Sequence, residues 1–122
     1  MSKTAIGVDI IEIARVERVI SRWQDSFLKR IYTRAELETC PNASSLAARF
    51  AAKEAVMKAL GTGVRGVSWR DIEILTNGNG APLIKLHGRA REKSEEIGVA
   101  EFCVTMSHSR EYAVAFVIGY AQ

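Results

Sequence analysis

Ser44-Ser-Leu-Ala-Ala-Arg-Phe-Ala-Ala-Lys-Glu-Ala-Val-Met-Lys-Ala-Leu60, followed by Gly61, is the stretch that organises this chain. It predicts one long helix that stops at Gly61, a good C-terminal cap. Ala52, Ala55, Val56, Ala59 and Leu60 make a continuous apolar face. Glu54 and Lys58 lie one turn apart on the opposite side, while Arg49 and Lys53, also one turn apart, flank the apolar face. Charge pattern alone describes an ordinary solvated amphipathic helix. The alanine content points further, because it makes the helix surface shallow and lets other groups come close. A carboxylate with lysine and arginine nearby is what a metal–diphosphate site needs. Mg²⁺ takes one or two carboxylates plus phosphate oxygens and water, and cations neutralise the remaining phosphate charge.

Upstream, residues 4–11 read as a strand with Ile6, Val8 and Ile10 on one face and Ala5, Gly7 and Asp9 on the other. Asp9 thus shares a face with two very small residues, where something can approach the backbone. It is the natural second carboxylate, although only the fold can bring it near Glu54. A helix follows, with Ile13, Val16, Ile20 and Trp23 as its core stripe and Arg15, Arg18 and Arg22 elsewhere. Thr33-Arg-Ala-Glu36 is a capping box that opens a short helix, and Cys40-Pro-Asn-Ala43 ends it. Downstream come a loop at 61–66, strands at 71–75 and 82–86 around an Asn77-Gly-Asn-Gly80 turn, and a helix at 89–97. Two last strands, 101–107 and 112–120, are joined by His108-Ser-Arg-Glu111. The expectation is one α+β domain over residues 1–122, with a mainly antiparallel sheet and a long central helix.

A chain of 122 residues can build a real core, but enclosing a nucleotide-sized ligand is hard at that size, which favours a site shared between subunits. The net charge of +3 fits an acidic or phosphorylated partner. Cys40 and Cys103 form no CxxC pair, and His87 and His108 do not flank them at zinc-finger spacing, so two free thiols are expected. The N-terminus does not read as a signal peptide, and the uncharged run 112–122 is too short for a bilayer, so a cytosolic protein with no membrane contact is expected. Gly61-Thr-Gly-Val-Arg-Gly66 matches G-x-G-x-x-G but follows a helix and leads to a strand, the reverse of a dinucleotide-binding turn. Ser107-His108-Ser109 offers hydroxyls, an imidazole and turn amides that suit phosphate oxygens. The basic run from Arg15 to Arg34 reads as a solubilising face or a docking patch. With Trp23 assigned to the core, exposed aromatics for nucleic acid are lacking, which favours an acidic protein partner.

Together these pieces resemble a family. Gly7-Val-Asp-Ile-Ile-Glu-Ile-Ala-Arg15, Arg49-Phe-Ala-Ala-Lys-Glu-Ala55 continuing through Lys58 to Gly61-Thr-Gly63, and Asp71-Ile-Glu-Ile74 form its first blocks. Asn79-Gly-Ala-Pro82, and Ser107-His-Ser109 followed by Tyr112-Ala113, complete them. In order and spacing the set is similar to the small bacterial holo-acyl-carrier-protein synthases, a group of phosphopantetheinyl transferases; residues 21–45 match least well. The resemblance implies the phosphopantetheinyl transferase fold, as one unit of a homotrimer with sites at subunit interfaces. It implies that Asp9 and Glu54 ligate Mg²⁺ and that Lys58 contacts the coenzyme A diphosphate. Arg49 and the turn carrying Asn79, Gly80 and Pro82 would hold the adenosine end, with His108 and Ser109 near its 3′-phosphate. Arg15 and Arg22 would meet the acidic acyl carrier protein.

The implied reaction, in support of fatty acid biosynthesis, is attack by a carrier-protein serine on the β-phosphorus of coenzyme A, with adenosine 3′,5′-bisphosphate leaving. Lys58 would stabilise the charge, and Glu54 would accept the serine proton directly or through water. Two rivals remain: a Mg²⁺-dependent nucleotide or coenzyme A pyrophosphohydrolase, which would use Asp9, Glu54 and Lys58 to activate water instead of serine, and a non-catalytic basic module for nucleic acid.

Overall fold

Alternate residues of the first strand, β1 (Thr4–Glu12), differ in size, and that difference decides where the long helix lies. The structure is a computed structural model that describes residues 4–40 and 42–121. Pro41, within the expected stop of the short helix, and Gln122, at the end of the uncharged run, lie outside them. After β1 come α1 (Ile13–Ile31), α2 (Arg34–Thr39) and α3 (Ala43–Leu60). Two single 3₁₀ turns lead to the β2 (Ile72–Thr76) and β3 (Pro82–Leu86) hairpin, α4 (Gly88–Glu96), β4 (Glu101–His108) and β5 (Tyr112–Tyr120). The three-stranded sheet runs β1-β5-β4 and the smaller one β2-β3, all antiparallel. The α+β architecture is the expected one.

α3 crosses the face of the larger sheet that carries Ala5, Gly7 and Asp9 from β1 with Ala113, Ala115 and Val117 from β5. The approach is close: a Cβ added at Gly7 would lie 1.8 Å from the Ala55 carbonyl oxygen. The helix ends as expected, with Gly61 at φ 77° and its N–H donating to the Lys58 carbonyl at 3.1 Å. It is not a solvated amphipathic helix, however. α3 is buried on most of its circumference, and Lys53 lies inside the core where the sequence placed it beside an apolar face. The reason is a partner: the Lys53 ammonium donates to Glu36 Oε1 at 2.7 Å. Glu36 also closes the expected capping box, accepting from Thr33 N at 2.9 Å while Thr33 Oγ1 accepts from Glu36 N at 3.2 Å.

Ile13 and Val16 are buried as the α1 stripe predicts, but Trp23 is a correction, being 56% exposed. Gln24 adopts φ 45°, ψ −126° and breaks the helix one residue after Trp23. Beyond the break Phe27, Leu28 and Ile31 take over the packing around Tyr32, Cys40 and Leu46, and Trp23 stays outside beneath the Arg22 guanidinium, 5.2 Å from the ring centre. Cys40 and Cys103 are free thiols. Among the described residues no helix is long and apolar enough to cross a membrane.

Candidate active site

Asp9 owes its position to the small residues around it. It pairs with Ala115 across the sheet, on the face that α3 covers, so its carboxyl points towards the helix. From α3, Lys58 reaches back: its ammonium donates to Asp9 Oδ1 at 3.1 Å and to the Val8 carbonyl at 3.0 Å. Glu54, one turn earlier, lines the same pocket of about 320 Å³ as Asp9, together with Arg15, Phe27 and Phe50. Strand and helix thus bring together the two carboxylates that the sequence could only nominate separately.

Electrostatics at this point favour a cation. Burial first, and then the neighbouring Asp9 carboxylate, raise the pKa of Glu54 above the usual carboxylate range, while Lys58 and Arg15 pull it back. Two carboxylates so placed either share a proton or are held together by positive charge, part of which Lys58 already supplies. Among the described residues no group of three or more His, Cys, Asp or Glu gathers to enclose a metal. A two-carboxylate donor set fits a hard ion that completes its shell with water and phosphate oxygens, the habit of Mg²⁺.

The other nominated residues fall into two separate groups. Arg49 is nearly buried and donates to Thr76 Oγ1 at 3.0 Å, and Thr76 pairs with Pro82 across the hairpin. Its Nε has no hydrogen-bond partner among the described residues. Beyond Thr76 the turn is held by Asn77, whose Oδ1 accepts from Asn79 N at 2.8 Å and Ala81 N at 3.1 Å, with Gly80 at φ 81°. Arg49 therefore reaches the end of β2 that leads into this turn. His108 and Ser109 line a different, open depression of about 630 Å³ beside Asn42 and Ser44 at the start of α3. Ser109 Oγ accepts from Tyr112 N at 3.2 Å. Neither group lines the Asp9–Glu54 pocket of its own chain, and Arg22 lies outside it as well.

Three features escaped the sequence. Arg15, nominated only for a protein partner, lines the carboxylate pocket. Phe50 forms its wall, and the signal was present: Phe50 and Glu54 stand four apart on one helix face. Phe27, three residues past a break at Gln24 that no periodicity announces, lines the pocket as well.

Comparison with known proteins gives one consistent family. The family model for the 4'-phosphopantetheinyl transferase superfamily matches residues 5–117. The holo-[acyl-carrier-protein] synthase of Moorella thermoacetica is 51% identical over 117 residues, covering 92% of this chain and 90% of that one. The corresponding synthase of Herpetosiphon aurantiacus is 46% identical over 121 residues, covering 93% and 95%. In three dimensions, the Helicobacter pylori holo-[acyl-carrier-protein] synthase in complex with coenzyme A matches with a TM-score of 0.85 at 36% identity, covering 93% of this chain and 98% of that one.

Proposed function

This chain belongs to the 4'-phosphopantetheinyl transferase superfamily, and we propose that Asp9, Glu54 and Lys58 carry its reaction. The reaction is transfer of 4'-phosphopantetheine from coenzyme A to a serine of apo-acyl carrier protein, giving holo-carrier protein and adenosine 3',5'-bisphosphate. One observation carries the residue assignment: β1 and α3 set Asp9 and Glu54 on one pocket, with the Lys58 ammonium 3.1 Å from Asp9.

Asp9 and Glu54 would hold Mg²⁺, which when bound polarises phosphate oxygens and makes the phosphorus easier to attack. Lys58 neutralises charge as it grows on the diphosphate and its leaving oxygen. Glu54, directly or through water, takes the proton of the attacking serine. Phe27 and Phe50 narrow the pocket and keep water from competing with that serine.

Arg49 with the Asn79–Gly80–Pro82 turn, and His108 with Ser109, hold the adenosine end and its 3'-phosphate in this reading. Since they stand away from the Asp9–Glu54 pocket of the same chain, a neighbouring subunit completes each site, as in a homotrimer. The uncovered sheet face bearing Ile6, Val8, Ile10, Phe116 and Ile118 supports such an assembly. Arg15 and Arg22 face the acidic carrier protein, and its supply together with that of coenzyme A places the reaction in the cytoplasm.

The test is incubation with coenzyme A, Mg²⁺ and apo-carrier protein, followed by intact mass. The expected result is a carrier protein heavier by one phosphopantetheine group, and no product when the metal is chelated. Undiminished transfer in chelator would sink the metal assignment. Release of phosphopantetheine without any carrier protein would point to the pyrophosphohydrolase instead.

A further inference from the structure

Lys53 precedes Glu54 directly, yet its side chain runs in another direction, into the core, and takes no part in the pocket. Its ammonium is fully buried and donates to Glu36 Oε1 at 2.7 Å, to the Trp69 carbonyl at 3.1 Å and to the Ile72 carbonyl. An ammonium has three donors, and here three acceptors meet them. Glu36 is equally buried and accepts two more bonds, from Thr33 N at 2.9 Å and from Ile74 N at 3.1 Å. The pair therefore joins α3 to the start of α2 and to the 69–74 segment.

We propose that the buried Lys53–Glu36 pair is a positioning device that sets the rotation of α3 about its own axis, so that Glu54 is presented to Asp9. The proposal rests on the reading of Glu54 as a metal ligand. Successive helical residues are turned by about 100°. With Lys53 tied towards α2 and β2, Glu54 faces β1. On the sheet side the Gly7–Ala55 contact fixes how closely α3 approaches, but it leaves the helix's rotation less firmly set. That side packs through Ala47, Ala48, Ala51, Ala52 and Ala55, small side chains with little to interlock. Nor does stability explain the pair: taking two charges out of water costs about what their attraction returns, and apolar residues of similar volume often do as well. Directional bonds to three fixed acceptors give what alanines lack. A group that orients a metal ligand from behind typically controls about 10–100-fold in metal affinity.

The test compares wild type with the Glu36→Leu/Lys53→Met double variant, using Mn²⁺ as the probe in the presence of coenzyme A. Bound Mn²⁺ is read from loss of the free-ion electron paramagnetic resonance signal. The double variant also leaves the Ile74 N–H and the Trp69 and Ile72 carbonyls without partners, so it should unfold at a lower temperature yet still fold, bind Mn²⁺ at least about tenfold more weakly, and lose kcat while keeping its KM for carrier protein. Wild-type Mn²⁺ affinity in the folded double variant overturns the inference. Should that variant not fold, Glu36→Gln keeps the volume but turns an amide donor on the Ile74 N–H. It should weaken Mn²⁺ in the same direction, and unchanged affinity there overturns the inference equally. Glu54→Gln separates the two layers. If it binds Mn²⁺ like wild type, the ligand assignment falls and takes the inference with it. If it loses Mn²⁺ while the double variant does not, only the positioning role falls.

Discussion

The two faces of the β1-β5-β4 sheet come from the same strands and are built to opposite ends. Under α3 lie Ala5, Gly7, Asp9, Ala113, Ala115 and Val117, side chains small enough for the helix backbone to settle almost on the strand. On the other face stand Ile6, Val8 and Ile10, 60%, 49% and 62% exposed, with Phe116 and Ile118 beside them. Smallness on one side brings a helix near enough for Glu54 and Lys58 to reach Asp9. Bulk on the other leaves a row of exposed apolar side chains, the kind of surface that can mark an interaction site. In the proposed reading the strand's period of two divides its work, with chemistry on the small-residue face and assembly on the large-residue face.

The inner face makes the strongest claim, so the largest effect is expected there. Asp9→Ala or Glu54→Ala should abolish transfer while circular dichroism stays that of the wild type, since each removes a hard-oxygen ligand from an ion with few to spare. Normal turnover of either variant at low Mg²⁺ would break the division outright. Next comes Lys58→Ala, on the same side. Losing one charged stabiliser typically costs about 3 kcal/mol, or about a hundredfold in kcat. If only Michaelis constants change, Lys58 binds ground-state phosphate and no more.

How far all this could be read beforehand depends on the range of the forces involved. Local signals were legible: the capping box at Thr33–Glu36, the left-handed stop at Gly61, and the alternation that set Asp9 among Ala5 and Gly7. Each depends on neighbours within a turn or a pleat. Trp23 was misread because helical spacing assumes the helix continues, and Gln24 ends it by a backbone turn that no side-chain pattern encodes. The Lys53–Glu36 pair was invisible for a different reason. Its partners are 17 residues apart, on two helices whose packing must be known first. That the residues proposed for a nucleotide end stand in two separate places, Arg49 by the hairpin and His108 with Ser109 by the start of α3, is a fact of three dimensions.

A third comparison tests the two faces directly. Gly7→Ala should destabilise the fold by about 3 kcal/mol in urea unfolding, because the new methyl meets the Ala55 carbonyl at 1.8 Å and neither backbone can yield cheaply. Val8→Lys, one residue on, should leave the chain folded and change its mass in solution, since it charges the face proposed to pair with other subunits. If Val8→Lys unfolds the chain and Gly7→Ala does not, the inner and outer assignments are reversed.

The smallest expected effect concerns the same contrast on α1. Arg15 and Arg22 are seven residues apart, about two turns, and so point to nearly the same side. Arg15 reaches the carboxylate pocket, whereas Arg22 lies beyond it over Trp23. A partner that delivers a serine to the pocket along this side must pass across Arg22, which makes Arg22 the cleaner probe. Arg15→Glu would place a negative charge beside Glu54 and alter catalysis itself. Arg22→Glu should instead raise the KM for carrier protein a few-fold at low salt, leaving kcat and the KM for coenzyme A alone. Surface attraction is screened over about 8 Å at physiological ionic strength. The wild type should therefore lose carrier affinity as salt rises, and the variant should respond less or in the opposite sense. Identical salt curves would reduce the basic side of α1 to a solubilising surface, and the carrier protein would then have to be recognised at the pocket mouth alone.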